Sequence, residues 1–189
     1  MDAAVLQNLL LEYPVVAAIK DAAGLENCLR SDTPVVFVLF GDILTISSIT
    51  ARLKEAKKIS LIHADLVEGL AAREIAVNFI AKNTEADGIL SIKPTLVKHA
   101  KSLGLLTIQR FFLLDSIALI NIQKQLPLEC ADMIEILPGP MPKITKKVVS
   151  MSSKPVIVGG LISDKEDIIS SLKAGASAVS TSNPTLWSV

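Results

Sequence analysis

A chain of 189 residues, half of them hydrophobic, fits one domain or at most two small ones and can bury a large core. Nineteen Lys and Arg cancel nineteen Asp and Glu, which excludes a strong global field for nucleic acid while permitting a local patch. No apolar run approaches the roughly 18 residues of a membrane span, and Met1-Asp2-Ala3-Ala4 lacks the basic opening of a secretory signal, so a cytoplasmic protein away from membranes is expected.

A helical rhythm over residues 3–12 predicts a short leading helix, stopped by Pro14. Val15–Lys20 reads as a buried strand and Gly24–Ser31 as a helix. Pro34–Phe40 is a second strand, Thr45–Lys57 a helix, and Ile59–Asp65 a third strand. A helix over Ala72–Lys82 leads to strand four, Gly88–Ser91. Pro94 opens the next helix at a position proline favours. Strand five is Leu105–Arg110, followed by a helix from Asp115 to Gln125. Strand six is Asp132–Leu137, then a helix over Pro142–Ser150, strand seven from Pro155, a helix over Asp164–Ala174, and strand eight at Ala178–Ser180. Near-continuous apolar strands separated by helices mean parallel pairing with both faces covered. Eight such units predict a compact, TIM-like (β/α)8 barrel, one domain over 1–189, with an open doubly wound sheet as the competing architecture.

The count gives meaning to Gly159-Gly160 and Ser180-Thr181-Ser182, which become the loops after strands seven and eight. That is where a β/α barrel usually holds phosphate. Glycines let backbone N–H groups approach an anion, and a following helix adds its positive end. An ordinary strand-to-helix turn with Ser and Thr caps is the competing reading.

Side chains alternate across a strand, so parity sorts the polar strand ends. Val16, Ala18 and Lys20 share one face, as do Leu61, His63 and Asp65. So do Ile89, Ser91 and Lys93, Leu106, Ile108 and Arg110, and Met133 and Glu135. Each set is apolar first and polar last, the pattern of a packed floor under a polar mouth. Lys93 and Arg110 suit a phosphate; Asp65 and Glu135 can accept polyol hydroxyls. Alternatively, Asp65 and Asp115 cap helices, Lys20 and Lys93 are solvated, and His63 is a hydrogen-bonded core histidine. Cys28 and Cys130 are too few and too far apart for a disulfide framework or zinc site and read as buried thiols. No catalytic triad, metal-binding pair or P-loop is present. A phosphate-handling isomerase or aldolase using Asp65, Glu135 or a strand-end lysine therefore stays as the alternative function.

Several segments together resemble the glycerol-3-phosphate-responsive antiterminators, the regulators of glycerol uptake operons. They are Leu39-Phe40-Gly41-Asp42-Ile43, His63-Ala64-Asp65-Leu66-Val67-Glu68-Gly69-Leu70, Ala86-Asp87-Gly88-Ile89, and Gln109-Arg110-Phe111-Phe112 with Asp115-Ser116. Ile134-Glu135-Ile136-Leu137-Pro138-Gly139, Gly159-Gly160-Leu161-Ile162-Ser163, and Ser180-Thr181-Ser182-Asn183 with Trp187 complete the set. The resemblance implies a barrel that binds glycerol 3-phosphate as an effector and acts on an mRNA leader, without turnover and with no cofactor or metal. The loops and strand ends read above supply its phosphate set: Gly159, Gly160, Ser180, Thr181, Ser182, Lys93 and Arg110. The polyol set would be Lys20, His63, Asp65, Glu68 and Glu135. Lys54, Lys57 and Lys58, and Lys143, Lys146 and Lys147, are the RNA-contact candidates; a solvated helix face explains either cluster as well. Self-association is left open.

Overall fold

A computed structural model describes residues 2–126 and 130–188; positions 1, 127–129 and 189 of the expected domain lie outside the described residues. Eight parallel strands close into a barrel in chain order, with β1 completing the ring against β8. The strands are β1 Val15–Ile19, β2 Val35–Val38, β3 Ile59–His63, β4 Gly88–Ser91, β5 Leu106–Phe112, β6 Met133–Leu137, β7 Val156–Gly159 and β8 Ala178–Thr181. Helix α1, Ala3–Glu12, precedes the first strand. The others follow strands one to seven: α2 Ala22–Arg30, α3 Ile46–Glu55, α4 Glu74–Asn83, α5 Pro94–Ser102, α6 Ser116–Gln125, α7 Pro142–Met151 and α8 Lys165–Lys173. A short 3-10 turn, Pro184–Leu186, follows β8. No helix of the described residues is long and apolar enough to cross a membrane.

Two apolar clusters show why both faces of each strand must be hydrophobic. The inner one fills the barrel with Val16, Ala18, Phe37, Leu61, Leu90 and Ile108, among others. The outer one, including Ala17, Val36, Ile62, Ile89, Ile134 and Val179, packs the strands against the helices. Leu6 and Leu10 of α1 join the inner cluster, so the leading helix plugs the barrel where its strands begin. Three aspartates start helices after strands: Asp21 accepts from Gly24 N, Asp115 from Ala118 N, and Asp164 from Asp167 N. Each satisfies an amide that the first helical turn leaves free, and Asp115 thus takes the capping role.

The two clusters also correct one expectation. On β4, Leu90 points inward and Ile89 outward, so Ser91 faces the helices rather than the barrel interior; Lys93 lies beyond the strand, as the N-cap of α5. The other expected inward faces, through Lys20, His63, Arg110 and Glu135, match the inner cluster. Of the two cysteines, Cys28 is fully buried, with burial holding its thiol pKa up, and Cys130 is half-buried.

Candidate functional site: a cationic cavity at the barrel mouth

Beneath the mouth lies a buried polar cluster built by three strands. Arg110 Nε donates to Glu135 Oε2 at 2.6 Å, and Ser180 Oγ donates to Glu135 Oε1 at 2.6 Å. Glu135 is 0% exposed and Arg110 only 7%. A buried carboxylate is tolerated when paired and hydrogen-bonded, and here each of its oxygens has a partner. Gly159 leaves room for this arrangement. A Cβ there would lie 2.2 Å from Ser180 Oγ and 2.6 Å from Glu135 Oε1.

Above this cluster opens a cavity of about 170 Å³. Lys20, Arg110, Gly160, Leu161, Ile162 and Ser182 line it, over Ala18, Leu39 and Leu137. Glu135 occupies Arg110 Nε only; among the described residues the two Nη groups have no protein partner. The guanidinium is therefore locked from below with its fork turned to the cavity, the geometry that reads a phosphate or carboxylate bidentately. Gly160 and Leu161 both have positive φ, +74° and +60°. For leucine this conformation costs on the order of 1 kcal/mol, and it bends the backbone over the cavity. Gly160 O accepts from Gly139 N at 2.8 Å, while the Leu161 amide has no protein acceptor among the described residues.

The three hydroxyls at the end of β8 and just beyond it divide by role. Ser180 is committed to Glu135. Thr181 Oγ1 donates to Ile162 O at 3.1 Å and accepts from Asn183 N at 3.2 Å, so it ties the loop after β8 to the loop after β7. Only Ser182 combines a position on the cavity with a hydroxyl free of protein partners among the described residues. Below Gly160, Asp167 Oδ2 accepts from Ser163 N and Oγ at 2.8 and 2.9 Å, which holds its carboxyl pKa below the usual value.

The remaining expected residues lie apart from this cavity. Lys93, the N-cap residue of α5, donates from Nζ to Ala72 O at 3.3 Å. Asp65 accepts from Ile92 N at 3.1 Å and faces His63 Nδ1 at 3.4 Å. Burial, and then the Arg110 charge, pull the His63 pKa down to about 4, against the opposing pull of Asp65. His63 is thus neutral at pH 7. Glu68 lines a neighbouring cavity of about 650 Å³ between the loops after β1 and β2, with Asp21, Asp42, Thr45 and Arg52. Lys20 lines both cavities. Among the described residues no group of three or more His, Cys, Asp or Glu side chains could hold a metal ion.

The lysine clusters separate as well. Lys58 is buried and donates to Ser31 O and Thr33 O, both at 2.8 Å, which makes it a structural residue. Lys54 pairs with Asp87 at 3.0 Å. Lys143, Lys146 and Lys147 are exposed on α7, a helix with no acidic residue.

Comparison with known proteins agrees with this architecture. A curated relative from Escherichia coli K12, the uncharacterized protein YgcP, is 42% identical over 184 residues, covering 97% of this chain and 96% of its own. The crystal structure of the glycerol uptake operon antiterminator regulatory protein from Listeria monocytogenes superposes with a TM-score of 0.88 at 32% identity, covering 92% of this chain and 94% of that one. A glycerol uptake operon antiterminator-related protein from Thermotoga maritima gives 0.80 at 35% identity, covering 92% and 96%. A deoxyribose phosphate aldolase from Aeropyrum pernix, at 15% identity and a TM-score of 0.71, shares the fold. The profile described as glycerol-3-phosphate responsive antiterminator matches residues 15–187, and the chain belongs to that family.

Proposed function

We propose that this protein binds glycerol 3-phosphate in the cavity at the barrel mouth and uses it as an effector in transcription antitermination on an mRNA leader. The supporting observation is the Arg110 guanidinium, fixed by Glu135 with its fork open to a small cavity that also holds Lys20, the Gly160-Leu161 backbone and the free Ser182 hydroxyl. The phosphate sits between Arg110, Lys20 and those two loops. At about 170 Å³ the cavity is small beside the 300–1,000 Å³ of drug-sized sites, which suits a three-carbon phosphate and excludes a nucleotide. Lys20, assigned at first to the polyol, serves the phosphate.

The reading is regulatory, without turnover and without a cofactor. Both oxygens of Glu135 are committed to Arg110 and Ser180, so it positions the arginine rather than moving protons. RNA contact falls to α7 through Lys143, Lys146 and Lys147, since Lys58 is consumed internally and Lys54 is paired.

Isothermal titration of glycerol 3-phosphate into the wild type and Ser182→Glu tests the site. Position 182 is exposed and has no internal partner, so the variant folds while setting a carboxylate against the phosphate. Saturable binding in the wild type and its loss in the variant are expected; equal binding by both refutes the assignment. Gly160→Asp is expected to lose binding too, with Gly160→Ala as the control for strain at its positive φ. Repeating the titration with leader RNA present tests the effector role. Any factor by which the metabolite tightens RNA binding must appear in the metabolite's own affinity, typically 5- to 150-fold. Identical metabolite affinities with RNA bound overturn it.

A further inference from the structure

The loop after β7 holds a leucine in a conformation that its own packing does not explain. Among the described residues, positive φ falls on glycines, on Lys57 and on Leu161. Lys57 is an ordinary case: its amide donates to Lys54 O at 2.9 Å in the turn that ends α3, and its side chain is exposed. Leu161 differs. Neither its amide nor its carbonyl has a protein partner among the described residues, and its side chain is 77% exposed. The backbone around it is fixed. Gly160 O accepts from Gly139 N, Ile162 O from Thr181 Oγ1, and Ser163 O from Asn183 Nδ2, so the left-handed turn is imposed by its neighbours. A lone exposed leucine is common on a protein surface. One held where glycine would fit without steric cost is not, and within this chain no burial offsets that cost.

We propose that the Leu161 side chain closes over the carbon atoms of a phosphate monoester held in the mouth cavity, and so sets a preference for the organic phosphate over the bare anion. The inference rests on the ligand reading of that cavity and names a specificity-determining residue within it. The lining has two chemistries. Lys20 and Arg110 supply charge, while Leu161 joins Ala18, Leu39, Leu137 and Ile162 in an apolar part. Inorganic phosphate uses only the first; an ester of a short alcohol brings carbon to the second. Ala18 and Ile162 are buried, and Leu39 and Leu137 are half-buried. Leu161 alone of these apolar residues is exposed, so it is the one that can swing. A change of χ1 moves its side chain without breaking any of the backbone bonds on either side of it. Closure buries apolar surface on both leucine and ligand. It also excludes water from the cations, which strengthens their hold on the phosphate.

Calorimetric titration of the full chain with glycerol 3-phosphate and with inorganic phosphate tests the assignment in two variants. Asparagine enters the left-handed region readily, so Leu161→Asn keeps the loop and removes the apolar cover. It is expected to bind glycerol 3-phosphate about tenfold more weakly than the wild type. Inorganic phosphate, which has no carbon to cover, is expected to behave alike with both proteins, and the variant without ligand is expected to melt no earlier than the wild type. Leu161→Met retains an apolar side chain of similar reach and is expected to keep most of the affinity. Equal binding of glycerol 3-phosphate by the wild type and Leu161→Asn overturns the proposal, as does an equal loss in Leu161→Met and Leu161→Asn. Earlier melting with a matching loss of both anions makes Leu161 a structural residue and overturns it too. A wild type that binds no glycerol 3-phosphate is a different result, since it refutes the ligand reading itself and this inference with it.

Discussion

Replacing Arg110 by Met isolates what the buried cluster contributes. The substitution keeps most of the side chain's length and removes the charge 2.6 Å from Glu135. A carboxylate at 0% exposure then keeps Ser180 as its one partner. Breaking a buried pair from one side costs about 3–5 kcal/mol, because the remaining charge is uncompensated. For a chain of this length that corresponds to a fall in Tm of roughly 6–20 °C. It would consume much of the 5–15 kcal/mol that separates a typical folded domain from its unfolded state. The double variant Arg110→Met/Glu135→Leu removes the orphaned charge and is expected to recover most of the loss, since apolar replacement of a buried pair is commonly neutral or better. Urea unfolding of both proteins at pH 7 gives the two differences. Neither variant retains the guanidinium fork, so both are expected to lose glycerol 3-phosphate, one with a stability defect and one without. A loss below about 1 kcal/mol in Arg110→Met, or no recovery in the double variant, would falsify the account of Glu135 as a charge held in place by Arg110.

Gly159→Ala should destabilise by about 1–3 kcal/mol through overpacking, because its Cβ falls against Ser180 Oγ and Glu135 Oε1; chemical denaturation that shows no change would remove Gly159 from the cluster. His63 predicts an acid limb. Its folded pKa is about 4 against an ordinary 6.5, so the two states bind protons equally above pH 7. Between pH 6.5 and 4 the unfolded chain takes up a proton that the folded chain refuses, and stability falls with pH by about 3 kcal/mol in all. Measured as the difference between wild type and His63→Gln across that range, a flat profile would contradict a buried neutral histidine.

Much of the architecture was legible because β/α units announce themselves. Each strand is an apolar run bounded by polar or proline residues, and counting eight of them places Gly160 and Ser182 at one mouth. Parity worked where one face ends in a strong polar group, as in Leu106, Ile108 and Arg110. It failed on β4 because Gly88, Ile89 and Leu90 are apolar on both faces, and the alternation there carries no sign. Ser91 then looked like an inward residue, whereas it faces outward and its hydroxyl accepts from the amide of Lys93, the N-cap of α5. The commitments of the polar groups were not legible either. Glu135 and Ser180 are 45 residues apart, and nothing local to either reveals that they saturate one another. The same holds for Lys58, whose partners lie 25 and 27 residues upstream.

The arrangement of charge around the mouth bears on how a small anion is held. Asp21, Asp115 and Asp164 cap helices that begin at this end of the barrel, and Asp42 and Glu68 stand on the loops beside them. The cavity itself is lined by the charges of Lys20 and Arg110, while Asp21, Asp42 and Glu68 line the neighbouring one. A phosphate monoester small enough to enter meets the two cations at close range, where little water screens them. On the proposed reading RNA contact falls to α7, which supplies three exposed lysines without a single acid. That helix follows β6, the strand that carries Glu135. Since Glu135 holds both Arg110 of β5 and Ser180 of β8, a phosphate on the arginine fork bears directly on three strand ends. The helix with the lysines continues from one of them. On the proposed reading, an effector bound there can bias the lysine-bearing helix without any residue reaching from one to the other.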